Sequence, residues 1–179
     1  MSAMETICPG CGLEMPRHAE ASYGGYFNAS TECWEIFTEV IGKEFSNPAL
    51  FEQVHRLTVD AYAVQHAGGN HPDKSVMVHL AGLFLVLERG LRCTAVTPLL
   101  GRLANGVRVW PRLPQPTAAP KLTIFDVALA ESVENHAKVA QSWAESVWRT
   151  WSPHHREIRE FVVAHLDLNE QRAEQIPTA

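Results

Sequence analysis

Apolar and polar residues alternate with a helical period along most of the chain. Several periodic segments begin at residues that commonly start helices: Ser30 or Thr31 before Glu32, Asn47 before a proline, Asp73, Thr97 before a proline, Thr123 three residues before an aspartate, and Ser152 before a proline. The predicted helices cover residues 32–42, 47–66, 74–89, 97–105, 123–151 and 153–166. No segment shows the period of two over a length typical of a strand. The pattern therefore predicts an all-α protein built as a helical bundle.

The segment Lys74–Arg89 is the most apolar of the predicted helices. It carries apolar residues on nearly every face, and His79 is almost its only polar side chain. A helix without a polar face has to be enclosed by its neighbours, so we expect it at the centre of the bundle. About seven residues join it to the preceding helix, so the two should pack as an antiparallel hairpin.

The helix predicted over residues 47–66 has two distinct sides and a boundary row between them. Its apolar stripe comprises Phe51, Val54, Leu57, Ala61 and Val64, and its expected solvent side comprises Glu52, Arg56, Asp60 and Ala63. The residues His55, Tyr62 and His66, at i, i+7 and i+11, follow the edge of the stripe. Such a row is either a set of amphipathic boundary side chains or the wall of a half-buried polar site.

Three regions follow from the distribution of these elements. Residues 1–31 contain little predicted helix and form a metal-binding knuckle and loop, which makes this a helical bundle with an N-terminal zinc-knuckle-like element. Residues 32–168 form the bundle, with a proline-rich connector over residues 111–120. The polar residues 169–179 are expected to be a flexible tail.

Composition and charge narrow the class of protein. The 179 residues are 46% hydrophobic, enough for a full core, and their net charge is −5 at pH 7. A chain with this charge is a poor candidate for binding nucleic acid or an anionic membrane. The longest apolar stretch is about a dozen residues, too short to span a bilayer, and the N-terminus lacks the pattern of a signal peptide. We therefore expect a cytoplasmic protein.

The cysteines point to a metal centre. Cys8 and Cys11 form the motif Cys-Pro-Gly-Cys-Gly, and Cys33 follows 22 residues later in the first turn of a predicted helix. In a reducing compartment such a pair is more often a metal clip than a disulfide. Zn²⁺ favours four tetrahedral ligands, and the fourth is expected to be His66 or His55. Metal binding would order residues 1–31, so the predicted role of the zinc is structural.

Two further predictions concern residues around this centre. Cys93 lies in a joint between two helices, far in sequence from the knuckle, and is expected to be a packing residue rather than a ligand. In the predicted hairpin, His66 would lie near His71 and His79, so these three imidazoles could share a pocket with Tyr62 as its hydrogen-bonding wall.

Three sequence runs resemble an uncharacterised family of small bacterial proteins. The runs are CPGCG, ECWEIF and HRLTVDAYAVQH, and the resemblance covers about residues 5–100. Members of this family have a CxxC knuckle, a third cysteine that opens a helix, and a histidine-rich segment. The family has no established activity, so the resemblance implies the grouping of Cys8, Cys11 and Cys33 and no catalytic residue.

Two classes of function remain open from the sequence. A non-enzymatic zinc protein would use exposed aromatic residues to bind a protein partner, whereas an enzyme would act on a small molecule. The run WSPHHREI at residues 151–158 resembles the terminal histidine motif of DinB-like metal-dependent bundles, whose activities include hydrolysis and thiol transfer. That resemblance implies an open metal site formed by His79, His136 and His154 or His155. A zinc-releasing thiol redox sensor is also compatible with the cysteines.

Overall fold

The computed structural model describes residues 5–17, 23–118 and 120–168, and most of them lie in helices. The predicted flexible tail, His18 and the first four residues lie outside the described residues. Near the start of the chain, strand β1 (Glu5–Ile7) pairs antiparallel with β2 (Glu14–Pro16), with Thr6 opposite Met15. The sequence did not predict this hairpin, because strands of three residues are too short to show a period of two.

The helices confirm the all-α prediction. They are α1 (Thr31–Phe45), α2 (Pro48–Leu50), α3 (Arg56–Gln65), α4 (Asp73–Leu87), α5 (Cys93–Gly106), α6 (Ile124–Ala128), α7 (Val133–Thr150) and α8 (His155–His165). A π-helical turn over Phe51–His55 joins α2 to α3, and a 3₁₀ turn over Ser152–His154 precedes α8. No helix of the described ranges is both long and apolar enough to cross a bilayer.

Side-chain caps fix several helix ends where the sequence placed them. The Ser30 hydroxyl accepts from the amide of Cys33, and the Asn47 side chain accepts from two amides of α2. Thr123 and Asp126 form the predicted capping box at α6. The helix beyond it ends early, however, because Ser132 caps a new helix by accepting from the amide of Asn135. The single helix predicted over residues 123–151 is therefore two helices.

Two other helices begin at residues that differ from the prediction. Asp73 lies in the first turn of α4, and Pro72 occupies the cap position in its place. Helix α5 begins at Cys93 rather than at Thr97, so Pro98 lies inside the helix. Proline is favoured in the first turn of a helix, which made the pair Thr97-Pro98 a misleading start signal.

Helix α4 is central, as its apolar faces predicted. Leu80, Leu83 and Leu85 are fully buried although they point in different directions around the helix axis. Helix α4 packs against α3, α5, α7 and α8, and α3 in turn packs against α5 and α7. Both helices of the predicted hairpin are thus enclosed by neighbours.

Because α3 is enclosed, the prediction that one of its sides faces solvent is wrong for two residues. Asp60 and Ala63 were expected in water, and both are fully buried. Burial of the Asp60 carboxylate is compensated by Arg56 and by His79, whose Nδ1 lies 2.7 Å from an Asp60 oxygen. Phe51 was expected on the buried stripe and is 38% exposed. The π-helical turn is under-wound, so a period of 3.6 traced back through it assigns the wrong face.

Candidate metal centre

Four side chains from three elements meet at one point beside the bundle. Cys8 and Cys11 come from the loop of the β1–β2 hairpin, Cys33 from the first turn of α1, and His66 from the end of α3. One ligand atom from each lies within 4.8 Å of the others. Within the described parts of the chain, this is the only group of three or more such residues with that geometry.

Backbone hydrogen bonds hold the two hairpin cysteines in a tight knuckle. The amide of Gly12 donates to the carbonyl oxygen of Cys8 at 2.9 Å, and the amide of Cys8 donates to the carbonyl oxygen of Leu13 at 2.8 Å. Gly12 has a φ of 76°, a left-handed conformation that glycine adopts without a steric penalty. The turn therefore presents both thiols on the same side.

The N-terminus of α1 brings the third thiol to the knuckle. The Ser30 hydroxyl accepts from the amide of Cys33 at 3.2 Å, and this cap places Cys33 in the first turn of α1. The amide of Ser30 also lies 3.5 Å from the Cys8 sulfur and donates to it. One residue thus caps the helix with its side chain and contacts the knuckle with its backbone.

The fourth side chain is oriented by its own helix. The ring Nδ1 of His66 lies 2.8 Å from the Tyr62 carbonyl oxygen, to which it can only donate. In the neutral form of the ring the lone pair is then on Nε2, and Nε2 lies 3.3 Å from the Cys33 sulfur. A ligating histidine is commonly held in this way by a second-sphere carbonyl.

The site is closed to solvent, and its three thiols interact with one another. Cys8, Cys33 and His66 are at most 1% exposed, and Cys11 is 8% exposed. Hydrogen bonds from the Cys11 and Cys33 side chains lower the pKa of Cys8 far below its usual range. The same contacts with Cys11 and Cys8, together with burial, raise the pKa of Cys33. A bound cation would replace the shared protons and compensate three thiolates.

The spacing of the donors fits a tetrahedral ion. With metal–sulfur bonds of about 2.3 Å, two sulfurs of a tetrahedral zinc site lie about 3.8 Å apart. The Cys11 and Cys33 sulfurs are 3.8 Å apart. An ion held by all three sulfurs and the nitrogen would have four protein ligands and no open coordination position for water or substrate, which is typical of a structural site.

His55, the alternative fourth ligand, does not reach the group. It precedes His66 by eleven residues, which corresponds to about 16 Å along a helix at 1.5 Å per residue. Its Nδ1 lies 3.0 Å from a carboxylate oxygen of Glu44 instead. Cys93 is not among the four residues of the group either, and its thiol donates to the carbonyl of Gln53 at 3.0 Å.

The histidines of the expected DinB-like site are not brought together. His79 binds Asp60, and the Nε2 of His136 lies 2.9 Å from a Glu44 oxygen. His155 stacks on the Trp148 ring, with ring centroids 3.9 Å apart, and His154 is half-buried nearby. His79, His136 and His155 therefore contact three different residues, Asp60, Glu44 and Trp148.

The three histidines expected to share a pocket also have different partners. His66 faces the thiols, and His79 faces Asp60. His71 lies with its ring centroid 6.5 Å from that of His79 and 4.9 Å from that of Phe27. Tyr62, the expected wall of that pocket, points at the metal centre, and its hydroxyl lies 3.7 Å from the Cys33 sulfur.

One buried polar residue escaped the sequence analysis. Glu44 is fully buried and accepts hydrogen bonds from Thr58, His55 and His136. A signal for it was present, because residues 33, 37, 40 and 44 form the buried stripe of α1 and a charged residue stands on it.

A comparison with protein families identifies the group to which this chain belongs. The model of a family of unknown function, DUF5946, matches residues 6–152, a range that includes all four candidate ligands and ends before α8. No curated protein and no solved structure matches the chain. The chain therefore belongs to the DUF5946 family, and that membership assigns it no activity.

Proposed function

We propose that this member of the DUF5946 family binds one zinc ion through Cys8, Cys11, Cys33 and His66, and that the ion has a structural role. The observation that carries the proposal is the buried group of three thiols and one imidazole, whose ligand atoms lie within 4.8 Å of one another and whose Cys11 and Cys33 sulfurs are 3.8 Å apart. Zinc is favoured over iron because three cysteines and one histidine suit a single zinc ion better than an iron–sulfur cluster.

The structural role follows from what the ion would connect. The described residues before α1 contain only two three-residue strands, so they have little core of their own. Two ligands lie in that hairpin and two lie on helices α1 and α3 of the bundle. A zinc ion would therefore fasten the hairpin to the bundle, and its binding energy would contribute to folding. We also propose a cytoplasmic location, because thiolate ligation is stable in a reducing compartment.

Zinc content of three proteins tests the proposal. Purified wild-type protein is expected to contain one zinc ion per chain, and Cys33→Ser is expected to lose it. The matched control is Cys93→Ser, which changes another buried cysteine outside the group and should retain the full equivalent. Metal analysis by mass spectrometry measures all three. Wild-type protein with less than about half an equivalent after growth with zinc, or a Cys33→Ser protein with full occupancy, would show that the proposal is wrong.

A further inference from the structure

One residue contacts two of the four candidate ligands. The hydroxyl of Tyr62 lies 3.7 Å from the Cys33 sulfur, and a phenol is protonated at neutral pH, so it donates to that sulfur. The carbonyl oxygen of Tyr62 accepts from the Nδ1 of His66 at 2.8 Å. The Tyr62 side chain thus forms a hydrogen bond with the thiol of Cys33, and the Tyr62 backbone forms one with the imidazole of His66.

Packing holds the Tyr62 ring in one position. Tyr62 is fully buried, and its ring stacks on Phe37 with a centroid distance of 3.9 Å and an interplanar angle of 15°. The His66 ring lies on it at 4.1 Å, and the Phe27 ring meets it edge to face at 5.5 Å. A ring enclosed in this way cannot turn its hydroxyl to water, so the sulfur is its available partner.

The hydrogen bond from Tyr62 would compensate part of the negative charge of the zinc-loaded site. Three thiolates, a neutral imidazole and a divalent cation carry a net charge of −1, and here that charge would be almost completely buried. A buried net charge is costly unless hydrogen-bond donors compensate it. Cys8 receives the backbone amide of Ser30, and Cys33 receives the Tyr62 hydroxyl.

We propose that Tyr62 is a positioning residue of the metal centre, which strengthens metal binding by donating its hydroxyl to the Cys33 thiolate. This inference rests on the proposed zinc site. Loss of an outer-sphere partner typically weakens metal binding by about 10- to 100-fold. Tyr62→Phe removes only the hydroxyl, because the ring packing and the backbone carbonyl that holds His66 remain.

Competition with a chromophoric chelator measures the affinity for zinc. Tyr62→Phe is expected to bind one zinc ion per chain about 10- to 100-fold more weakly than wild type. The control is Tyr26→Phe, which removes the hydroxyl of a half-exposed tyrosine of the same aromatic cluster and should bind like wild type. Equal free energies of unfolding for the two metal-free variants would show that both fold equally well.

The absorption spectrum of the cobalt-substituted protein distinguishes a hydrogen bond to the Cys33 sulfur from an effect of ring packing alone. A thiolate that loses a donor is more electron-rich, so the sulfur-to-cobalt charge-transfer band of Tyr62→Phe should move to longer wavelength. The band of Tyr26→Phe should not move. An unshifted band in Tyr62→Phe, with or without weaker zinc binding, would overturn the role of Tyr62 while the zinc site stands. Wild-type protein that binds neither ion would instead refute the zinc site itself.

Discussion

At the residue scale, Gly10, which lies between the two knuckle cysteines, has no space for a side chain. A Cβ atom at this position would overlap the carbonyl oxygen of Asn28 and the ring of His66. The amide of Asn28 in turn donates to the carbonyl of His66 at 2.9 Å. The glycine is therefore required by the close approach of the knuckle to the end of α3 rather than by its own conformation.

We expect Gly10→Ala to weaken zinc binding, because the knuckle must move away from His66 to admit the methyl group. Gly24→Ala is the matched control, since nothing lies within 4 Å of a Cβ atom at that position. Chelator competition should show a lower affinity in Gly10→Ala and an unchanged one in Gly24→Ala. Equal affinities in both variants would mean that the knuckle is not held against His66 in solution.

Individual ligands differ in how far the sequence could identify them. Cys8, Cys11 and Cys33 could be grouped because a CxxC pair and a cysteine at a helix start are local signals. The choice between His66 and His55 could not be made, because both stand on the same predicted row and only the packing of α3 against the hairpin separates them. The contact of Tyr62 with Cys33 has no local signal at all.

At the element scale, a glycine sets the distance between α3 and α4. A Cβ atom on Gly82 of α4 would overlap the carboxylate of Asp60, which is buried on α3 and is contacted by Arg56 of α3 and His79 of α4. The small residue therefore creates the space in which a buried carboxylate meets its two donors.

We expect Gly82→Ala to lower the free energy of unfolding by about 1–3 kcal/mol, the usual cost of overpacking a core. Gly101→Ala in α5 is the matched control, since it is exposed and open, and the higher helix propensity of alanine should stabilise it by about 0.5–1 kcal/mol. Urea denaturation measures both. Stabilisation by Gly82→Ala would show that α3 and α4 do not pack this closely.

Helix starts with a capping side chain such as Ser30, Asn47 or Thr123 could be predicted, because these side chains act on amides within three residues. Features that depend on distant partners were not predictable. The sequence of α3 contains no sign that Asp60 is buried, because the arginine beside it is equally common on exposed helices and His79 belongs to another helix. The break between α6 and α7 was missed because Phe125, Leu129 and Val133 continue the helical period across it.

At the scale of the whole molecule, one buried carboxylate joins three parts of the bundle. Glu44 at the end of α1 accepts from Thr58 of α3 at 2.6 Å, from His136 of α7 at 2.9 Å, and from His55 of the π-helical turn at 3.0 Å. Burial by itself raises the pKa of Glu44, but the hydrogen bonds from His136, His55 and Thr58 outweigh it and leave the pKa lowered. The fold therefore favours the charged carboxylate.

The stability that Glu44 contributes should depend on pH. Because its folded-state pKa lies below the unfolded value, the contribution is complete above pH about 4.5 and is lost as the pH falls through the folded-state pKa. We expect Glu44→Gln to be less stable than wild type by about 1.5–3 kcal/mol at pH 7, and this difference to shrink in acid. Urea denaturation of both proteins in their metal-free form across this range tests it. A difference that stays constant with pH would contradict the charged state of Glu44.

The π-helical turn over Phe51–His55 determines how α1 and α2 are rotated and shifted relative to α3. Its hydrogen bonds span five residues instead of four, so the turn accommodates one residue more than an α-helix would. Without that residue, α1 and α2 would be rotated by about 100° and shifted by about 1.5 Å relative to α3. Cys33 lies before the turn and His66 lies after it. The contact between the Cys33 thiol and the His66 imidazole therefore depends on the number of residues in a turn that ends eleven positions before His66. Length changes at this turn are thus less tolerable than substitutions of its exposed side chains.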